Sequence, residues 1–339
     1  MYLETVSETP GIRNSKHEPG HTKVKGTETL KLKDVQTHFL TEGSVVKAVD
    51  NVSLSIDKGE SLGLVGESGC GKSMTAFSIL RLVPDPPGKI VGGEVHFQGE
   101  DLLRYTEKEM RAIRGKEIAM IFQEPSTSMN PSFTMVTEKA MDILKAVQIS
   151  DPRRILSQYP HELSGGMLQR VMIAMAISCE PSLLICDEPT TALDVSTQAQ
   201  IIKLLNELRE EMGTSLLFIT HDLGVLSWVC TYAAVMYAGN IVEYSDIRTI
   251  LKNPGHPYTR ALIGSTPRLD IDVENLNVIP GQVPNLAKLP SGCKFHPRCQ
   301  IAEDKCREEV PPLIEKEVAE DGSKSSFTGD HGLKEVFLH

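Results

Sequence analysis

Long apolar segments are missing from this sequence, and so is an excess of positive charge. No run approaches the roughly 20 apolar residues that cross a bilayer as a helix, and the N-terminal stretch MYLETVSETPGIRNSKHEPG has no apolar core like that of a secretory signal. Lys and Arg number 35 against 45 Asp and Glu, a net charge of −10. Nucleic-acid binders neutralise phosphates with basic side chains, so we expect no nucleic-acid partner. These absences predict an intracellular protein that only a partner could hold on a membrane.

What is present is an ordinary globular composition, with 40% hydrophobic and 24% charged residues over 339 positions. Residues 1–28 are polar and lack apolar periodicity, which predicts a disordered tail. Residues 29–252 carry the periodic patterns of a folded domain. Prolines become frequent from about residue 253, which predicts a separate loop-rich appendage over 253–314. The last stretch, 315–339, is polar and predicts a frayed tail.

Apolar runs separated by a helical pattern predict a buried, largely parallel sheet in the main domain. Two such runs are Leu183–Cys186 and Ser215–Ile219. Between them, Ser196 is expected to cap a helix that Gly213 ends. The buried stripe of this helix is predicted to be Ile201, Ile202, Leu204, Leu205 and Leu208. The segment therefore predicts a βαβ unit and an α/β fold.

A phosphate-binding loop follows the predicted strand Ser61–Val65. The pattern G-x-x-x-x-G-K-[ST] is met by Gly66, Glu67, Ser68, Gly69, Cys70, Gly71, Lys72 and Ser73. Its glycines let backbone N–H groups face an anion, and the helix-like stretch Met74–Leu82 adds a positive helix end. Lys72 is expected to reach the β- and γ-phosphates, and Ser73 to offer an oxygen to Mg²⁺. The alternative is a glycine-rich turn that matches by chance, which the flanking strand and helix disfavour.

Two acids directly follow the apolar run Leu183–Cys186. Ligands of α/β folds bind at the carboxyl ends of the strands, so Asp187 is expected to hold Mg²⁺ and Glu188 to polarise an attacking water. A solvated strand end is the alternative for an Asp-Glu pair alone. Gln123 and His221 follow two other predicted strands, and each is a weak signal by itself.

A second candidate anion site is the segment Ser164-Gly165-Gly166, which precedes the helix-like stretch Leu168–Ile177. Ser164 can cap this helix, and the glycines let a phosphate approach its backbone N–H groups. One nucleotide cannot easily use both anion sites of one subunit. Two subunits that face each other are therefore the economical interpretation.

The order of these motifs resembles that of the ATPase subunits of ABC transporters. The motifs that carry the resemblance are Gly66–Ser73, Gln123, Leu163–Met167, Leu183–Glu188, Asp194 and His221. The resemblance implies a P-loop NTPase core with a mixed, largely parallel sheet and flanking helices. It also implies ATP and Mg²⁺ as cofactors, with hydrolysis in a nucleotide-sandwich dimer.

The same resemblance implies roles for individual residues. It implies that Phe39 stacks on adenine and that Met74 lies at the start of the helix beside the phosphates. It implies that Gln123 touches Mg²⁺ and relays to membrane subunits, and that His221 contacts the γ-phosphate. Ser164, Gly165 and Gly166 would clasp the ATP of the opposite subunit, with Asp194 in the neighbouring loop.

Three further segments resemble the dipeptide and oligopeptide importers within that family: Tyr159–Glu162, Met167 where glutamine is usual, and Asn253–Thr259. The resemblance implies a peripheral subunit on the cytoplasmic face of the cell membrane. Its implied partners are a second ATPase subunit, identical or related, two membrane permeases and, indirectly, an extracytoplasmic substrate-binding protein. A nickel importer of the same subfamily is the alternative. A soluble ABC protein acting on ribosomes or DNA is disfavoured, because those generally carry two cassettes or a coiled-coil insertion.

The appendage contains Cys293, Cys299 and Cys306. By resemblance these are the first three ligands of an iron–sulfur site, a type of cluster that thiolates hold. The fourth cysteine of the family pattern is missing, and Asp330 or His331 could replace it. Reduced structural thiols and a zinc site are the alternatives.

The interval from Gln123 to Ser164 is shorter than in the subfamily, by roughly one helix of 3–5 turns. The resemblance identifies about 124–165 as a helical subdomain that receives a short helix of the membrane subunit. One helix is predicted within Val136–Ile149. Its apolar face would consist of Val136, Ala140, Ile143, Leu144 and Val147.

Overall fold

The structure is a computed structural model that describes residues 28–123, 138–191, 193–265, 279–316 and 335–338. The predicted tail at 1–28 lies outside these residues except for Glu28. Within the described ranges, no helix combines the length and apolarity that a membrane crossing requires.

The strands, in chain order, are β1 (Glu28–Thr41), β2 (Ser44–Asp57), β3 (Ser61–Val65), β4 (Gly88–Phe97), β5 (Glu100–Asp101), β6 (Ile118–Ile121), β7 (Leu183–Asp187), β8 (Ser215–Thr220), β9 (Tyr232–Tyr237), β10 (Asn240–Asp246), β11 (Leu313–Lys316) and β12 (Glu335–Leu338). The α-helices are α1 (Lys72–Ile79), α2 (Glu107–Ile113), α3 (Glu138–Ala146), α4 (Pro152–Leu156), α5 (Gly165–Ile177), α6 (Val195–Met212), α7 (Leu223–Val229), α8 (Ile247–Lys252), α9 (Pro257–Gly264) and α10 (Lys305–Glu308). Short 3-10 turns lie at Leu102–Arg104, Pro160–Glu162 and His296–Arg298.

The larger sheet has the strand order β11-β12-β10-β9-β3-β8-β7-β6. Strands β9, β3, β8, β7 and β6 are parallel, and β10, β12 and β11 continue the sheet in antiparallel fashion. The α/β fold with a mixed, largely parallel sheet is thus confirmed. The central strands β3, β7 and β8 are buried along their whole length, which explains why they read as continuous apolar runs.

Alternate residues of the central strands face two separate hydrophobic cores. On β8, Leu216 and Phe218 pack in the core with helices α5, α6 and α7, whereas Leu217 and Ile219 pack in the core with α1 and the smaller sheet. The smaller sheet is antiparallel with the order β2-β1-β4-β5. A buried hydrogen bond of 2.7 Å between the hydroxyls of Thr37 and Ser78 joins it to α1.

The helix between β7 and β8 has the predicted stripe, since Ile201, Ile202, Leu204, Leu205 and Leu208 are all buried. Gly213 ends it in the left-handed conformation, with φ of 64°. The predicted cap is wrong, however. Asp194 caps α6 by accepting a hydrogen bond of 2.9 Å from the Thr197 amide, while Ser196 lies inside the first turn. Asp194 takes the capping position because it is the last residue with an extended backbone before the helix, at φ −66° and ψ 159°.

The stretch after Gln123 is described only from Glu138 onward. Helix α3 forms within the predicted range, and Leu144 and Val147 of its predicted apolar face are buried. Val136 lies outside the described residues. The end of the chain departs from the expected polar tail over four positions, because Glu335–Leu338 pairs with both β10 and β11. Three consecutive apolar residues, Val336 to Leu338, make such a strand favourable.

Candidate active site

The phosphate-binding loop connects β3 to α1 and can only be built with glycine at two of its positions. Gly71 has a φ of 111°, and a Cβ on it would lie 2.2 Å from the Ala48 carbonyl oxygen. A Cβ on Gly66 would lie 2.2 Å from the carbonyl oxygen of Met236. The loop is therefore pressed against β2 and β9, an approach that a side chain at either position would prevent.

Lys72 places its ammonium inside this loop. The side chain is 5% exposed and donates to the carbonyl oxygens of Gly66 and Glu67, at 2.8 and 3.2 Å. Its Nζ also lies 4.0 Å from Oε1 of Glu188. The ammonium thus lies between the loop and the acidic strand end, where a phosphate bound by the loop would meet it.

Ser73 and Asp187 place two side-chain oxygens next to each other beside the phosphate loop. The Ser73 hydroxyl donates to Oδ1 of Asp187 at 3.1 Å, which links the start of α1 to the end of β7. Burial raises the pKa of Asp187, and the hydrogen bond from Ser73 and the charge of Lys72 oppose this rise. A hydroxyl beside a carboxylate fits Mg²⁺, which prefers oxygen ligands and would supply positive charge at the phosphates.

Glu188 contacts two further residues of the predicted site, Gln123 and His221. Its Oε2 accepts from Nε2 of Gln123 at 3.3 Å and lies 3.4 Å from Nδ1 of His221. Strands β7 and β8 are adjacent and parallel, so their ends bring Glu188 and His221 together. The structure therefore gathers Lys72, Gln123, Glu188 and His221 at one edge of the sheet.

The position of Glu188 is held by features that the sequence analysis missed. Its φ is 47°, in the left-handed region that non-glycine residues rarely adopt. Its amide donates to Ile219 across the sheet at 2.9 Å. The Thr191 hydroxyl donates to Oε2 at 2.9 Å. The sequence could not have predicted this contact, because a hydroxyl residue three positions after an acidic residue is a common pattern.

Phe39 is connected to the phosphate loop through the β1–β2 hairpin. It pairs with Val46, two residues before the Ala48 carbonyl that packs against Gly71. Its ring packs over Gly88, where a Cβ would lie 2.7 Å from the ring. The aromatic side chain is partly exposed, so one face can stack on a base.

The second predicted anion site is a separate, solvent-exposed unit. Ser164 caps α5 by accepting from the Met167 amide at 3.4 Å, and both Ser164 and Gly165 are exposed. Gly166 packs so closely against Thr197 that a Cβ would approach its methyl group to 2.8 Å. Thr197 in turn donates to Asp194. Among the described hydrogen bonds and ion pairs, none joins this unit to the phosphate loop of the same chain.

Within the described residues, the three appendage cysteines are not brought together as a metal-ligand group. The Cys293 amide donates to the Cys306 carbonyl at 2.8 Å, yet the described part of the chain holds no group of three His, Cys, Asp or Glu side chains arranged for a metal ion. Burial raises the pKa of the Cys293 and Cys299 thiols, and the neighbouring cysteines add to this rise. Asp330 and His331 lie outside the described residues.

The appendage instead touches the phosphate loop, a contact that the sequence did not signal. The Tyr258 hydroxyl accepts a hydrogen bond of 2.9 Å from the Glu67 amide. The guanidinium of Arg298 lies against the carboxylate of the same residue. Tyr258 belongs to the Asn253–Thr259 segment, and Arg298 ends the 3-10 turn His296–Arg298, one residue before Cys299.

Solved structures with this fold are ATP-binding cassettes. The dimeric post-hydrolysis state of the cassette MJ0796, bound to ADP and Pi, superimposes with a TM-score of 0.58 at 28% identity, covering 65% of this chain and 99% of that one. CbiO1 from Clostridium perfringens, part of the ABC transporter complex cbiONQ, shares the fold with a TM-score of 0.57 at 23% identity, covering 67% of this chain and 92% of that one. The ABC transporter family matches residues 49–191. The fold and the site together define an ABC-type ATPase.

Sequence comparison shows which ABC transporter proteins this chain resembles. The family "Oligopeptide/dipeptide transporter, C-terminal region" matches residues 242–306. A probable peptide ABC transporter ATP-binding protein of Sinorhizobium fredii, y4tR, is 50% identical, covering 84% of this chain and 91% of its own. The dipeptide transport ATP-binding protein DppD of Escherichia coli is 46% identical, and the oligopeptide transport ATP-binding protein AppD of Bacillus subtilis 45%, each covering 84% of this chain and 92% of its own. The chain belongs to this family of ABC transporter ATP-binding proteins.

Proposed function

We propose that this chain binds ATP between two subunits, with the phosphate loop of one and the Ser164–Gly166 segment of the other on either side of the nucleotide. Lys72 holds the β- and γ-phosphates, Ser73 and Asp187 hold Mg²⁺, and Glu188 activates the water. The observation that carries this proposal is the convergence of Lys72, Gln123 and His221 on Glu188, 3.3 to 4.0 Å away. The exposed Ser164 and Gly165 are free to face a second subunit.

The cargo proposed is a dipeptide or oligopeptide, carried inward through two membrane permeases. The names of y4tR, AppD and DppD, each matched over 84% of this chain, support it. In this arrangement the chain is peripheral, on the cytoplasmic face of the membrane, and receives substrate information from an extracytoplasmic binding protein through the permeases. Gln123 fits the relay, because its side chain contacts the proposed base Glu188 while its segment leads toward the helical subdomain.

The proposed function also implies a division of the chain into domains. Residues 29–252 form the ATPase domain with a helical subdomain at about 124–165, and residues 253–314 form the appendage. The short subdomain keeps nucleotide binding but alters docking to the permeases, because a missing helix removes part of the groove wall.

Reconstitution tests the cargo. The chain is placed in proteoliposomes together with its permeases and their binding protein, with ATP inside. Peptide-stimulated release of phosphate and uptake of labelled peptide support the proposal. Stimulation by Ni²⁺ without a response to peptides would overturn the peptide assignment and favour the nickel importer. A Glu188→Gln complex controls for leakage, because it should show neither signal.

A further inference from the structure

The C-terminal appendage holds the phosphate loop through one buried arginine. Nη1 and Nη2 of Arg298 donate to Oε2 and Oε1 of Glu67 at 2.8 and 3.0 Å. Such a bidentate pair is stronger and more directional than a single hydrogen bond. The arginine side chain is only 5% exposed, and the glutamate side chain is 24% exposed. The contact thus joins residues 231 positions apart.

Arg298 is itself held in place. Its Nε donates to the Pro280 carbonyl oxygen at 2.9 Å, and its guanidinium lies 5.8 Å from the centre of the Tyr237 ring. Tyr237 packs against Tyr258 and Phe295, with ring centroids 4.6 and 5.2 Å away. A side chain with so many fixed neighbours can transmit the position of the appendage to Glu67.

Three groups of Glu67 form hydrogen bonds: its carboxylate, its amide and its carbonyl. Its carboxylate meets Arg298, its amide donates to the Tyr258 hydroxyl, and its carbonyl accepts from Lys72. Glu67 therefore links the appendage directly to the ammonium of Lys72. Without Arg298, a carboxylate of the loop would stand uncompensated beside the negative phosphates of ATP and repel them.

We propose that Arg298 and Tyr258 are positioning residues for ATP binding, with Arg298 neutralising Glu67 and Tyr258 fixing its backbone. The inference rests on the proposed role of the phosphate loop. It makes ATP affinity a property of the appendage as well as of the ATPase domain. The proposed base Glu188 is not part of this contact, so the step of hydrolysis itself should be affected little.

The test compares Arg298→Met, Glu67→Gln and the double variant. KM and kcat for ATP come from phosphate release, and Kd from anisotropy of a fluorescent ATP analogue. Arg298→Met is expected to raise KM and Kd on the order of ten-fold, with kcat changed less than about three-fold. Glu67→Gln in the Arg298→Met background should bring KM back toward the wild-type value, because it removes the uncompensated charge. A merely structural role would lower kcat through the active fraction and would show no such rescue.

Two further variants separate the contacts. Tyr258→Phe keeps the ring but leaves the Glu67 amide without its acceptor, so KM should rise in a way that Glu67→Gln does not correct. Lys294→Met is the matched control from the same appendage. It breaks the 2.9 Å ion pair with Asp50 and the 3.0 Å hydrogen bond to the Ala238 carbonyl, and it touches no residue of the loop. Its KM should stay at the wild-type value.

Failure of this inference can be distinguished from failure of the proposed nucleotide site. If Lys72→Ala binds ATP as tightly as the wild type, the nucleotide site itself is misassigned. If Lys72→Ala loses binding while Arg298→Met keeps the wild-type KM, this inference alone fails. Thermal unfolding reports whether Arg298→Met folds. If it does not, Arg298→Lys replaces it, since lysine keeps the charge but loses the bidentate contact and should give a smaller rise in KM.

Discussion

Oε2 of Glu188 lies 3.4 Å from Nδ1 of His221, at the ends of the adjacent parallel strands β7 and β8. The glutamate side chain is 13% exposed and the histidine 55%, so the pair faces the open edge of the sheet. A water that attacks the γ-phosphate would be polarised by the carboxylate, while the imidazole is placed to contact the phosphate. The first prediction follows from this relationship.

Glu188→Gln should keep ATP binding and slow hydrolysis by roughly 10²–10⁴, the usual contribution of a positioned general base. The amide fills the same space but cannot accept a proton, so the variant should accumulate as an ATP-bound dimer. Phosphate release and gel filtration with ATP measure both effects. Glu210→Gln is the control, because that glutamate is exposed and pairs with Arg209 away from the phosphate loop. Normal turnover of Glu188→Gln would place the base elsewhere.

A mixed dimer tests the composite site. Lys72→Ala removes the cation from the phosphate loop, and Ser164→Arg places bulk and charge where the partner's nucleotide would lie. Each homodimer should be inactive. If this chain works with a copy of itself, a dimer of one Lys72→Ala and one Ser164→Arg subunit contains one intact site and should regain hydrolysis. No recovery in a dimer verified by mass spectrometry would argue against composition in trans.

The buried His256 predicts a pH-dependent stability. It is 3% exposed, its Nδ1 accepts from the Tyr258 amide, and its own amide donates to Glu243. Burial, and to a smaller extent the charge of Arg260, lowers the pKa of His256 from 6.5 to about 4. The unfolded chain therefore binds the proton first as the pH falls below 6.5. Stability from this group is complete above that pH and is lost progressively toward pH 4, by roughly 3 kcal/mol in total.

Denaturant unfolding at several pH values measures this loss. His256→Asn keeps an acceptor for the helix cap but cannot titrate, so its free energy of unfolding should fall less between pH 6.5 and 4. Burial raises the pKa of Glu243, which acts in the opposite direction, so the difference between the two proteins is the quantity to compare. His161→Asn, at an exposed histidine, is the control. Equal slopes for wild type and His256→Asn would refute the assignment.

The three appendage cysteines allow a direct test of the iron–sulfur expectation. Since Cys293, Cys299 and Cys306 are not arranged as a ligand group in the described part of the chain, protein purified anaerobically with iron and sulfide should be colourless. Elemental analysis gives the iron content. A brown protein whose iron is lost in Cys299→Ser would show that the ligand set does assemble.

The local part of the site could be predicted because each motif is contiguous. Gly66–Ser73 fits an anion-binding loop because a predicted strand precedes it and a predicted helix follows, and the apolar run before Asp187 fits a buried strand. The stripe on α6 follows from the helical period. The cap was wrong because Asp194 and Ser196 are both able to cap, and their spacing alone does not decide which residue is the last extended one.

By itself, then, the sequence determined the class of protein and the candidate residues for binding phosphate. It did so because strand and helix patterns, and the side chains at their ends, are encoded within a few neighbouring positions. Only the tertiary structure decided that Gln123, Lys72 and His221 meet at Glu188, and that Arg298 grips Glu67 from the appendage. Those contacts depend on which strands are neighbours and on how the appendage packs, and no local pattern specifies either.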